Sequence, residues 1–114
     1  MDTQRHPDGF LEISADAVRT RLGEFRVVDV REPHEFTGPL GHVDGAALVP
    51  LATVADAAAG WDRARPILLV CRSGARSGRA ASLLVHMGFR HVHNLTGGMM
   101  GWVERGYPVV GRGA

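Results

Sequence analysis

Ile67-Leu68-Leu69-Val70 is the feature that most restricts what this chain can become. Four consecutive aliphatic residues after Pro66, with no polar side chain among them, fit a strand buried on both faces; a strand with one wet face would alternate. Strands of that kind belong to parallel sheets covered by helices, and a helical pattern follows: Ala80, Ala81, Leu83, Leu84 and Met87 recur at helical spacing within Ser77 to Met87. Between the two stand six residues, Cys71 to Arg76, which begin with the only cysteine of the chain. Ligands of open parallel sheets bind outside the carboxyl ends of the strands, so this thiol is placed for chemistry.

The composition of the connection says what chemistry. Gly74, with the small Ser73 and Ala75 beside it, lets the backbone curl until successive amide N–H groups face one centre, which makes a nest for an anion. The first helical turn adds free N–H groups and the positive end of the macrodipole, and Arg72, Arg76 and Arg79 add formal charge. These surroundings favour thiolate and are expected to bring the cysteine from ~8.5 to roughly 3.5 to 7.5, a nucleophile that needs no general base. A lone cysteine in a small domain can also be a compact buried hydrophobe. The glycine, the two flanking arginines and the strand-to-helix position argue for the reactive thiol.

Cys71-Arg72-Ser73-Gly74-Ala75-Arg76-Ser77 resembles the active-site loop of the rhodanese (sulfurtransferase) family. Three other stretches resemble motifs of that family in the expected order: Asp29 to Phe36; Leu40 to Ala46, leading to Pro50; and Asn94-Leu95-Thr96-Gly97-Gly98 followed by Trp102 and Pro108-Val109. The resemblance covers roughly Leu11 to Val109. The resemblance implies a three-layer α/β domain with a mainly parallel five-stranded sheet and helices on both faces, which the alternation of elements independently suggests. It further implies a sulfurtransferase in which Cys71 takes a sulfane sulfur from a donor such as thiosulfate, holds it as a persulfide and passes it to cyanide, a small thiol or a protein thiol. Arg72, Ser73, Gly74, Ala75, Arg76 and Ser77 are then the substrate-binding residues, with Arg72 and Arg76 on the departing oxyanion. No metal or organic cofactor is required.

Two departures from the family pattern bear on this. Glu35 precedes Phe36 where two-domain thiosulfate sulfurtransferases carry a basic residue, so a Glu35 that faces the pocket weakens the case for a dianionic donor. Asp44 stands where proline is common, and Asp44-Gly45 remains a good turn. Asp29 and Arg31, two apart on an extended strand, read as a structural ion pair that fixes the corner beside the site. His42 reads as a structural hydrogen-bonding residue. His91 and His93 share a strand face but lack an acidic or thiol neighbour, so they make a poor metal site.

At 114 residues the chain is expected to be one domain, with a core from about residue 11 to 109 and flexible tails at both ends, the C-terminal one from Gly111. Further elements expected are a short edge strand from Phe10 to Ile13, a helix from Ala15 to about Leu22 capped by Ser14, a strand from Phe25 to Val30, a helix from Leu51 to Ala59 and a strand from His91 to Leu95. Met100, Trp102 and Val103 read as core. The net charge of +1 gives no reason to expect nucleic-acid or membrane binding. Met1 to Phe10 is polar, without the apolar centre of a secretory signal, and a single unpaired thiol suits a reducing compartment, so a cytoplasmic location is expected.

Two rivals to the turnover enzyme stand beside it. A cysteine phosphatase or arsenate reductase loop holds five residues between cysteine and arginine, and this one holds four, a narrower cradle that suits one sulfur atom. A relay module would instead accept sulfur from one protein and deliver it to another without turning over free thiosulfate.

Overall fold

The structure, a computed structural model, describes residues 3–113. Six strands form one sheet: β1 (Thr3–Arg5), β2 (Leu11–Ile13), β3 (Arg26–Asp29), β4 (Ala47–Leu48), β5 (Ile67–Val70) and β6 (Val92–Leu95), in the order β1-β2-β6-β5-β3-β4. All neighbouring pairs are parallel except β1 and β2. Around the sheet lie α1 (Ala15–Val18), α2 (Pro33–Phe36), α3 (Val54–Ala58), α4 (Ala75–His86) and α5 (Gly98–Glu104). β5 is central and all four of its residues are buried.

Side chains along β5 alternate between the two layers, as strand geometry requires. Ile67 and Leu69, and Cys71 beyond them, join Val54, Ala58, Ala80, Ala81 and Leu84 on the α3–α4 side. Leu68 and Val70 join Val18, Met99 and Trp102 on the α1–α5 side. Each fully buried leucine of this kind contributes about 1.5–3 kcal/mol relative to exposure, and together they fix the height at which Cys71 emerges from the sheet.

Several elements differ from the sequence expectation. The sheet has six strands because residues 3–5, expected in a flexible tail, pair antiparallel with β2. Their polar side chains carry no apolar pattern; the backbone ladder holds them, after a reversal in which Gly9 takes φ 102° and the His6 ring stacks on Phe10. β2 is therefore an interior strand. At the other end, where fraying was expected, the Gly113 N–H reaches Gly38 O at 3.0 Å; Ala114, and Met1 and Asp2, lie outside the described residues.

The helix beginning at Ala15 is capped as expected, Ser14 Oγ accepting from Ala17 N–H at 3.1 Å, but it stops at Val18 and the chain tightens into a 3₁₀ turn over Leu22–Glu24. Arg19, Thr20 and Arg21 are all exposed, so no buried face rewards a longer helix. Leu51–Thr53 is likewise a 3₁₀ turn, in which the Thr53 hydroxyl donates to Pro50 O at 2.8 Å. Met99, not Met100, fills the core beside Trp102; Val103 is half-buried and Met100 is 39% exposed. No helix among the described residues is long and apolar enough to cross a membrane.

Candidate active site

Cys71 follows the last residue of β5 and is buried at the mouth of a tight loop. The helix starts earlier than expected, so the loop proper is Cys71 to Gly74, and Ala75 and Arg76 already belong to the first turn of α4. Gly74 caps that helix with φ 109°, a left-handed conformation that favours glycine, and in it the Gly74 N–H points at Cys71 Sγ from 3.0 Å. The loop's carbonyls face the other way. Cys71 O accepts from Met99 N–H at 2.8 Å and Arg72 O from Met100 N–H at 3.0 Å, so the amino end of α5 holds the outside of the loop while its amides face inward. A Cβ on Gly98 would stand 2.5 Å from both carbonyl oxygens.

Burial opposes ionisation of Cys71, but the polar groups of Ser77, Gly74 and Ser73 turned toward it outweigh that, so the thiol is shifted below its ordinary range. Ser77, on the first turn of α4, brings its Oγ to 3.2 Å from Sγ. Behind it lies Asn94 of β6, and behind Asn94 the carboxylate of Glu12 on β2.

Beside the loop opens a cleft of about 420 Å³ lined by Arg31, His34, Glu35, Pro39, Leu40 and Arg72. Glu35, on α2, meets Arg76 in a forked pair with N–O distances of 2.7 and 2.8 Å. The Arg76 guanidinium holds the Glu35 carboxyl down at about 2, against a smaller opposing effect of burial. The same pairing raises Arg76. Arg72 is exposed and, among the described residues, has no acidic partner within ion-pair distance.

A family model described as the rhodanese-like domain matches residues 14–105. The chain belongs to the rhodanese-like family. Among its relatives, the thiosulfate sulfurtransferase GlpE of Pseudomonas aeruginosa strain PAO1 is 35% identical over 96 residues, covering 83% of this chain and 86% of that one. A sulfurtransferase of Allochromatium vinosum is 31% identical over 102 residues, covering 87% and 94%. A rhodanese-related protein from Thermoplasma volcanium superposes with a TM-score of 0.80 at 28% identity, covering 88% of this chain and 97% of that one.

Within this rhodanese-like frame the residues singled out from sequence separate into three groups. Cys71, Gly74 and Ser77 converge on the sulfur. Ser73 and Arg72 lie exposed at the loop's edge, and Ala75 is exposed on the first helical turn. Arg76, expected on the substrate, is paired with Glu35, the acidic residue before Phe36, whose carboxylate faces the site. Asp29 and Arg31 form the buried pair expected, with N–O distances of 2.9 and 2.8 Å. Arg31 also donates to Gly41 O at 2.7 Å and Glu35 O at 3.2 Å, which ties the end of β3 to α2 and the following turn.

His42 accepts a structural role, its Nδ1 2.8 Å from Phe36 O and its ring stacked on Phe36. His91 is exposed, and His93 turns its Nδ1 to Ile67 O at 3.3 Å. Glu12 and Asn94 are the residues that sequence reasoning missed. Asn94 was visible only as the first residue of the C-terminal motif, and nothing in a three-residue strand marks Glu12.

Proposed function

We propose that this protein is a sulfurtransferase that carries a sulfane sulfur on Cys71. The observation that carries the reading is the Cys71 sulfur held at 3.0 Å from the Gly74 amide, at the end of a buried strand and the start of a helix. The Cys71 thiolate attacks the outer sulfur of a donor such as thiosulfate; the donor's S–S bond breaks and sulfite leaves with the electron pair. Cys71 is left as a persulfide whose terminal sulfur carries the negative charge. A thiolate or cyanide then attacks that sulfur, the new S–S or C–S bond forms, and the Cys71 thiolate is regenerated. The loop amides are preorganised for the anionic sulfur, and exposed Arg72 is the cation available to the sulfite group.

The Glu35–Arg76 pair supports a second reading. With Arg76 already neutralised, the mouth attracts a small dianion less, which suits a relay that takes sulfur from one protein and hands it to another. Intact mass after mixing with thiosulfate distinguishes the two. A single added sulfur on the wild type and none on Cys71→Ser, with repeated sulfite release in the presence of cyanide or a small thiol, is the expected result. A stable adduct without turnover moves the assignment to the relay, and sulfur retained by Cys71→Ser overturns both.

A further inference from the structure

Ser77 Oγ lies 2.5 Å from Asn94 Oδ1 and 3.2 Å from Cys71 Sγ, yet a serine hydroxyl has one proton to give. The neighbours of Asn94 decide where it goes. Asn94 Nδ2 donates to Gly74 O at 3.1 Å and to the Glu12 carboxylate at 3.1 Å, and neither group has a proton to offer. Turning the amide over would set its oxygen against both. Oδ1 must therefore face Ser77, and because an amide oxygen only accepts, the Ser77 proton is drawn onto it. Ser77 and Asn94 are both buried, so water does not supply a second donor. Glu12 is itself held in place by the Thr96 hydroxyl at 3.1 Å.

We infer that Asn94, oriented by Glu12, withholds the Ser77 proton from Cys71 and so sets how readily the thiol ionises. This rests on Cys71 as the sulfur-carrying nucleophile; Asn94 acts on it only through Ser77 and is a positioning residue. A Ser77 hydroxyl that donated to sulfur would be the strongest pull toward thiolate, but the same proton cannot also serve Asn94. The backbone amides of Ser77, Gly74 and Ser73 are then the donors left to the sulfur. The chemistry gains from this restraint. A thiolate loses nucleophilicity as its pKa falls, and the best attacking thiol titrates near the ambient pH, so a further O–H donor would make Cys71 more ionised but slower.

The charged groups around Cys71 are Arg72 in its loop, Arg76 and Arg79 on α4, Glu35 on α2, the Asp29–Arg31 pair at the end of β3, and Glu12 on β2. All are unchanged in a cycle of wild type, Ser77→Ala, Asn94→Ala and the double variant, in which the pH dependence of Cys71 alkylation by iodoacetamide is followed by mass. Ser77→Ala alone is expected to move the thiol midpoint by less than about 0.3 unit. In the Asn94→Ala background, where the proton is free to reach sulfur, the same replacement is expected to raise it by about one unit. Equal upward shifts in both backgrounds overturn the inference. So does a rise of about one unit from Ser77→Ala alone, a result that does not depend on how Asn94→Ala folds. Alkylation needs only the thiol, so coupling in a protein that takes no sulfur from thiosulfate would sink thiosulfate turnover and leave this inference standing.

Discussion

Asp29–Arg31 and Glu35–Arg76 are both forked pairs at the carboxyl end of the sheet, with shortest N–O distances of 2.8 and 2.7 Å. Their side chains are 0% and 1% exposed in the first pair, and 20% and 30% in the second. The first comes from one strand end, two residues apart, and Arg31 gives two further donors to backbone carbonyls of Glu35 and Gly41. The second joins residues 41 apart and reaches solvent at the mouth of the cleft. Similar geometry thus does two jobs. A sealed pair whose loss strands a charge is scaffold, whereas a half-open pair can exchange partners with an incoming anion.

Breaking the sealed pair should produce the largest effect. Arg31→Ala leaves the buried Asp29 charge without its guanidinium, with only the residue 31 amide still donating to it, and is expected to cost about 3–5 kcal/mol in urea denaturation; a loss below ~1 kcal/mol would erase the distinction. Opening the other pair should hardly touch stability but change binding. Glu35→Gln releases Arg76 and is expected to lower KM for thiosulfate about three- to tenfold with kcat little changed, at a stability cost under about 1 kcal/mol. Unchanged kinetics would mean that Arg76 stays out of reach of the donor. Arg76→Ala, which leaves the Glu35 charge unbalanced at the mouth, is expected to raise the same KM by about a similar factor, and a fall in KM would reverse the assignment.

The smallest effect is in pH. Glu35 is held at about 2 against an ordinary 4.5, so its folded form binds the proton less tightly than the unfolded chain. The stabilisation from this group is therefore fully present above pH 4.5 and lost as pH falls from there toward about 2. Denaturation of wild type and Glu35→Gln across that window should show their difference shrinking on acidification; a constant difference would place the Glu35 effect elsewhere.

The contrast also marks what could be read from sequence. β5, the loop glycine and α4 were legible because each announces itself locally: four aliphatic residues in a row, Gly74 before a helix, and apolar residues at helical spacing. Asp29 and Arg31 were legible for the same reason, being two apart on a strand. Glu35 was noticed, but its partner 41 residues on was not, and the link from Asn94 back to Glu12 spans 82. Pairings at such separations depend on which strands become neighbours, and sequence periodicity is silent on that. β1 escaped notice because backbone hydrogen bonds, which have no sequence pattern, hold it. α1 ends at Val18, short of the expected Leu22, because the exposed residues after it bury no further face.

Gly98 ties the Cys71 loop to the last quarter of the chain. Where a side chain would collide, bare backbone lets α5 dock its first amides onto Cys71 O and Arg72 O. The anion nest is therefore shared property of two strand-to-helix units, and it exists only while the second is seated. A local opening that lifts residues 96–105 would leave β5 and α4 packed yet return Cys71 to the reactivity of an ordinary thiol, well before the domain as a whole unfolds. Hydrogen exchange at the Met99 and Met100 amides is then a gauge of how much of the time the loop around Cys71 is held, and whatever grips α5 acts on that thiol without touching it.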